Sequence, residues 1–199
     1  MSISIPQLKD HSISVDHTGY DTSVGAKYLD TYTLNKSTNF YKITFPSDMI
    51  FTKDDVSTSD EKFDNLSREF NIHYRACIGS LIYLLSTSVY LVFVVQKLAK
   101  FSSNPGKVRF EGLVYLLRYI RGNKTFRLKY YIDIKYAPLS DLLIQASINT
   151  ENQLMVFSDS IFQDCPATGR STVSYILFYQ GGTIYHGTHV PGPVYQSSA

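Results

Sequence analysis

The stretch YRACIGSLIYLLSTSVYLVFVVQKLAKFSSNPGKVRFEGLVYLLRYIRG (74–122) decides how this chain folds. Tyr74, Ile78, Leu81, Ile82 and Leu85 recur at three- and four-residue spacing, the period of a helix with one buried face. Beyond Ser86-Thr87-Ser88 the apolar stripe resumes with Leu91, Val94, Val95, Leu98 and Phe101. Asn104-Pro105 reads as an N-cap followed by proline at the first helical position. The third helix so opened carries Val108, Leu113, Leu116, Leu117 and Ile120. It is expected to stop at Gly122, read as a left-handed residue just past its end.

Upstream, residues 1–71 are more polar and less periodic, and read as an extended, partly helical connector. Tyr20 to Leu29 can form a short helix with Tyr20, Val24 and Tyr28 on one face. Residues 31–60 hold scattered aromatics and turn formers without a sustained period. Ser59 or Asp60 can cap a helix through Phe63, Leu66 and Phe70. Downstream the period changes from helix to strand. FRLKYYIDI (126–134) alternates in part, and LMVFSD (154–159) is an apolar run ending in a carboxylate. STVSYILFYQ, Gly181-Gly182 and TIYHGTHV together read as a β-hairpin. The expectation is an α+β chain: a helical block at 72–122, a strand and linker at 123–153, and β-strands at 154–199. Residues 137–153 are the natural linker or insertion.

Composition narrows the function classes. Hydrophobic residues make up 44% and charged residues 18%, which fits a packed chain rather than a disordered one. A net charge of +2 is too small to imply a nucleic-acid partner, so any such partner must be argued from local clustering. Cys77 and Cys165 form no CxxC pair, which argues against a disulfide scaffold or thiolate zinc site and fits a reducing, intracellular compartment. The opening MSISIPQLKD lacks the basic-then-apolar pattern of a signal peptide. Ala76 to Val95 carries no charge over about 20 residues, the length of a membrane span. Gly79, Ser80 and Ser86-Thr87-Ser88 favour two buried helices meeting at a turn over that rival.

Few residues carry recognisable chemistry. Walker, HExxH and GxSxG patterns are absent. His186 and His189 stand three apart in a strand, so they face opposite sides and cannot share a metal. Asp159 follows the run Leu154–Phe157 and is expected at the end of a buried strand, where a carboxylate can bind a hard cation such as Mg²⁺. The alternative is a strand-terminating Asp in a turn, and Asp164 has no comparable argument. Lys97, Lys100, Lys107, Arg109, Arg118, Arg121, Lys124, Arg127 and Lys129 cluster around the third helix. Such a strip suits phosphates or is simply a solvated face.

Three segments in order resemble one family. Tyr74-Arg75, Ile78-Gly79-Ser80-Leu81-Ile82-Tyr83-Leu84, Ser86-Thr87, Lys97-Leu98 and the helix end Leu117-Arg118-Tyr119-Ile120-Arg121-Gly122 resemble the block after the palm of Copia-type retrotransposon reverse transcriptases. FSDSIFQDCPATGRSTVSYILFYQGG (157–182) resembles the opening hairpin of that family's RNase H, with Ser158-Asp159 on strand one and Arg170-Ser171-Thr172 opening strand two. Gln196 to Ala199 resemble the lead into the next helix. The likeness covers residues 72–199, and 13–70 more loosely.

That resemblance implies a thumb- or connection-like helical region followed by incomplete RNase H-like strands. It makes Lys107, Arg109, Arg118 and Arg121 phosphate-contact candidates and nucleic acid the partner. Asp159 would be the first RNase H carboxylate, a ligand of the Mg²⁺ that the family uses. Two-metal hydrolysis needs several carboxylates holding ions about 3.5–4 Å apart. The polymerase aspartates belong upstream of these motifs and the remaining RNase H acids downstream, so no bound cofactor and no catalysis are expected of this chain alone. An incomplete piece of an active polyprotein is the enzyme-class rival. Departures are also present: the family's Arg-Pro-Asp is Ser88-Val89-Tyr90, Ser-Ile-Phe follows Asp159, and Ser174 replaces a usual glycine. Such changes fit drift in an unselected copy.

Overall fold

A computed structural model describes residues 3–30, 42–46, 49–52, 55–123, 127–133, 154–161 and 169–190. The chain divides into two compact units, residues 17–126 and residues 3–16 joined with 127–199. The architecture is α+β, with five α-helices and two small antiparallel sheets, of two and three strands, among the described residues.

In the helical unit, α1 (Thr18–Gly25) runs on into a π-turn (Ala26–Asp30). Tyr20, Val24 and Tyr28 are buried together, as their spacing predicts. α2 (Asp60–Phe70) starts at Ser59, whose Oγ accepts the Lys62 N–H at 3.3 Å. Asp60 and Glu61 sit in its first turn, where a helix favours negative charge. It ends on Asn71 at φ 50°, with the Ile72 N–H donating to the Ser67 carbonyl. Asparagine tolerates this left-handed closing residue better than most side chains do.

α3 (Tyr74–Leu84) buries Tyr74, Cys77, Ile78, Leu81 and Leu84. A short 3₁₀ turn (Val89–Leu91) leads to α4 (Val92–Ala99), which buries Val92, Val94, Val95 and Leu98. The uncharged window at 76–95 is therefore broken at its serine and threonine cluster. There the Ser86 Oγ donates to the Tyr83 carbonyl and the Ser88 N–H to that of Leu84. Hydroxyl side chains compete for helix carbonyls and favour such breaks. Among the described residues no helix is long and apolar enough to cross a membrane.

α5 (Lys107–Gly122) is the longest helix among the described residues and packs most of its circumference into the core. Two expectations about its ends are corrected. Gly106, not Asn104, is the N-cap, and Pro105 stays outside the helix in a bridge with Val56. A Cβ at Gly106 would lie 2.7 Å from the Asp55 backbone, so this close crossing requires glycine. Gly122 remains helical and Asn123 follows it at φ −122°, so no left-handed residue closes this helix.

The strand unit takes in the amino-terminal segment, which residues 1–71 do not advertise as sheet. β1 (Ile13–Val15) pairs antiparallel with β2 (Leu128–Tyr130), Ile13 opposite Tyr130. Lys129 donates to Asp10 at 2.8 Å, and Arg127 pairs with buried Asp16 at 3.6 Å. β3 (Leu154–Ile161), β4 (Thr172–Tyr179) and β5 (Gly182–His189) form an antiparallel meander in that order. The β4–β5 turn is Gln180-Gly181 rather than Gly181-Gly182. Both turn residues have positive φ, 50° and 74°, the geometry that matches strand twist in a two-residue hairpin. A register shift beyond Leu177 leaves Ile184 as the extra residue of a bulge. The linker at 137–153, Cys165, Asp164, Lys124 and residues 196–199 lie outside the described residues.

Candidate nucleic-acid interface and the Asp159 strand

Helical geometry separates the four basic residues assigned to α5. At about 3.6 residues per turn, Arg118 lies about three turns beyond Lys107, on nearly the same side, and Arg121 is close to it. Arg109 is about half a turn away from Lys107. The structure follows this geometry. Lys107 is exposed, Arg118 and Arg121 are half-buried, and Arg109 is wholly buried.

Arg109 is consequently no phosphate ligand, which corrects the sequence expectation. Its Nε–H donates to the Asp55 carbonyl at 2.9 Å and its Nη2 to the Thr52 carbonyl at 3.1 Å. The guanidinium lies 4.2 Å from the Phe101 ring centroid and 4.9 Å from that of Phe51. Carbonyl dipoles and ring faces thus replace the hydration of a buried cation. Arginine's planar, weakly hydrated fork suits that position in a way lysine's ammonium does not. The Asp55 carbonyl also accepts the Gly106 N–H at 3.0 Å, so the segment before α2 is tied to the start of α5.

Lys107 borders a cleft of about 340 Å³ lined by Lys62, Asn65, Leu66, Glu69 and the Val56–Ser57 backbone segment. It pairs with Glu69 at 3.2 Å, both side chains being more than half exposed. An exposed pair of this kind is worth well under about 1 kcal/mol, so an incoming phosphate can displace it. The Arg121 stem packs beside Gly25 of α1. Lys97 lies 4.4 Å from the centroid of Phe93, and Arg75 donates to the Ser102 and Ser103 carbonyls. Arg127 and Lys129 belong to the strand unit and pair with Asp16 and Asp10 there. Because Arg109 is buried, the cations of the helical unit do not form one continuous surface strip.

Asp159 sits within β3, two residues before its end, and both it and most of the strand are exposed. This corrects the expectation of a buried, strand-terminating carboxylate. Its Oδ1 accepts the Ser160 N–H at 2.8 Å. Across the sheet it stands in register with Ser174, which in turn faces Thr188. Among the described residues no three His, Cys, Asp or Glu side chains gather so as to hold a metal. His186 and His189 do lie in one strand, where an offset of three gives opposite faces. Cys77 is buried among apolar side chains, which raises its thiol pKa far above the usual range and leaves no reactive thiolate.

One polar group has no counterpart in the linear reading. His17 Nδ1 and Thr87 Oγ1 meet at 2.7 Å in the core, with the Tyr83 ring 5.0 Å from the imidazole. Buried Asp21 and Ser88 lie in the same region of α1 and the α3–α4 turn. The residues are 70 apart in the chain, and nothing in either local sequence signals the pairing. The arrangement ties the start of α1 to that turn.

No protein-family model, curated protein or solved structure matches the chain.

Proposed function

We propose that this chain is part of a Copia-type retrotransposon polyprotein, joining a thumb- or connection-like segment of the reverse transcriptase to the opening strands of its RNase H. The observation that carries the reading is order. The Leu-Arg-Tyr-x-x-Gly motif ends α5, and Ser158-Asp159 lies on the first strand of the antiparallel meander that follows. Its role is weak, sequence-independent contact with a nucleic-acid backbone through Lys107, Arg118 and Arg121. Strand cleavage is not part of that role. Paired Mg²⁺ ions need several carboxylates, and Asp159 is the one family carboxylate this chain supplies.

Filter binding of an RNA–DNA duplex at low and moderate salt tests the contact. Binding should weaken steeply as counterion release loses its driving force. Tight binding insensitive to salt would count against the reading. A nuclease assay in Mg²⁺ tests the second half. Turnover that Asp159→Asn abolishes would replace the inert reading with an enzymatic one.

A further inference from the structure

We propose that the cleft between α2 and the start of α5 binds a phosphate monoester, the group carried by a strand end or a free mononucleotide. This rests on the reading of Lys107 as a phosphate contact and adds which kind of phosphate the cleft takes. Lys62, Asn65, Leu66 and Glu69 recur at three- and four-residue spacing, so one face of α2 forms one wall. The opposite wall is backbone tied to its neighbour at several points. The Ser57 N–H donates to the Asn104 carbonyl at 2.9 Å and its Oγ to the Pro105 carbonyl at 2.7 Å. The Gly106 N–H returns to the Asp55 carbonyl at 3.0 Å. The space between the walls, about 340 Å³, is large enough for a phosphate with a small organic group.

Charge selects the occupant. The cleft is lined by two lysines, Lys62 and Lys107, against a single carboxylate, Glu69. Asp60 and Glu61 do not line it, and the first turn of α5 holds no acid. Within the described residues no carboxylate pairs with Lys62. An entering anion therefore competes only with Glu69, for Lys107. An internal phosphodiester carries one negative charge, as Glu69 does, and gains less by the exchange. A monoester carries about two at neutral pH, and its three free oxygens can meet both lysines and the Asn65 amide. Leu66 and Val56 offer the ester group an apolar surface.

The test titrates the full chain with methyl phosphate, and with dimethyl phosphate as the diester comparator, followed by amide shifts in ¹H–¹⁵N spectra. Methyl phosphate should shift the Ser57, Gly106 and Lys107 amides to saturation, about tenfold more tightly than the diester. Lys62→Gln and Lys107→Gln should each weaken it about tenfold. Glu69→Gln removes the competitor and should tighten it about threefold. Lys62, Glu69 and Lys107 are exposed, so these variants should fold, and Lys97→Gln on α4 should bind like the parent. Tighter binding of 5′-phosphorylated oligothymidylate than of adenosine 5′-monophosphate would assign the cleft to strand ends, and the reverse order to free nucleotides. Methyl phosphate that fails to bind, dimethyl phosphate that binds as well, or weaker binding by Glu69→Gln would overturn the site. Salt-sensitive duplex binding without methyl phosphate binding would remove the cleft alone. Methyl phosphate binding without duplex binding would instead remove the nucleic-acid contact and leave the cleft.

Discussion

Arg109 and Asp55 are 54 residues apart in the chain, yet the Arg109 Nε–H donates to the Asp55 carbonyl at 2.9 Å. The interaction uses a charged side chain to satisfy backbone rather than to meet solvent. A hydrogen bond from a charged group is worth about 1.5–3 kcal/mol, more than its neutral equivalent, and burial makes its loss expensive. This one contact removes Arg109 from the candidate interface and makes it a fastening between the 49–57 segment and α5.

Replacing Arg109 by Met should therefore lower stability by about 3 kcal/mol, because the Asp55 and Thr52 carbonyls lose a charged donor and the Phe51 and Phe101 rings lose the guanidinium, while the apolar stem is retained. For a chain of this size that is a fall of about 6–12 °C in melting temperature. Thermal unfolding by circular dichroism measures it. Nucleic-acid affinity per folded molecule should not change, and a selective loss of affinity without destabilisation would restore Arg109 to the interface.

Lys107, Arg118 and Arg121 should behave in the opposite way. Each Gln substitution should weaken duplex binding uniformly across sequences and reduce the dependence of log K on log salt by about one phosphate contact. Stability should move little for Lys107→Gln, since its pairing with Glu69 is exposed. Binding titrations across a salt series provide the measurement, and an unaltered slope in all three variants would remove α5 from the contact surface.

Protection against hydrogen exchange should differ between the units. The helical unit buries a continuous apolar core from Tyr20 through Ile120. Most of β3, including Leu154, Val156 and Phe157, is exposed, and no described residue of β4 is fully buried. Amides of β3–β5 should therefore exchange through openings of lower free energy than those of α3 and α5. Equal protection in both would mean that the sheet is stabilised by something beyond its described packing.

Alkaline pH should destabilise the helical unit. Partial desolvation, opposed in part by its hydrogen bond to Ser88, raises the phenol of Tyr90, a residue still 37% exposed, from 10.0 to about 12. Burial moves Tyr74 in the same direction, and its hydroxyl donates to the Leu98 carbonyl at 2.9 Å. A group whose folded pKa exceeds its unfolded one stabilises fully below the unfolded value. That contribution is then lost as pH rises towards the folded value. Denaturant midpoints should thus fall between pH 10 and 12, alongside phenolate absorbance. Tyr90→Phe should flatten part of that fall, and an unchanged pH profile would remove Tyr90 as a contributor.

Local sequence determined the helices and the hairpin. The apolar period of 74–122, the cap at Ser59 and the change to alternation after Phe126 are short-range properties set by backbone geometry and the need to bury one face. The separation of Arg109 from Lys107 was equally legible, because an offset of two residues spans about half a helical turn. Tertiary structure alone decided the rest. Neither the capture of residues 3–16 by the strand unit, the meeting of His17 with Thr87, nor the exposure of Asp159 follows from neighbouring residues. Each depends on which distant surfaces come together, and the free energy of burying a surface is a property of the pair, not of either segment.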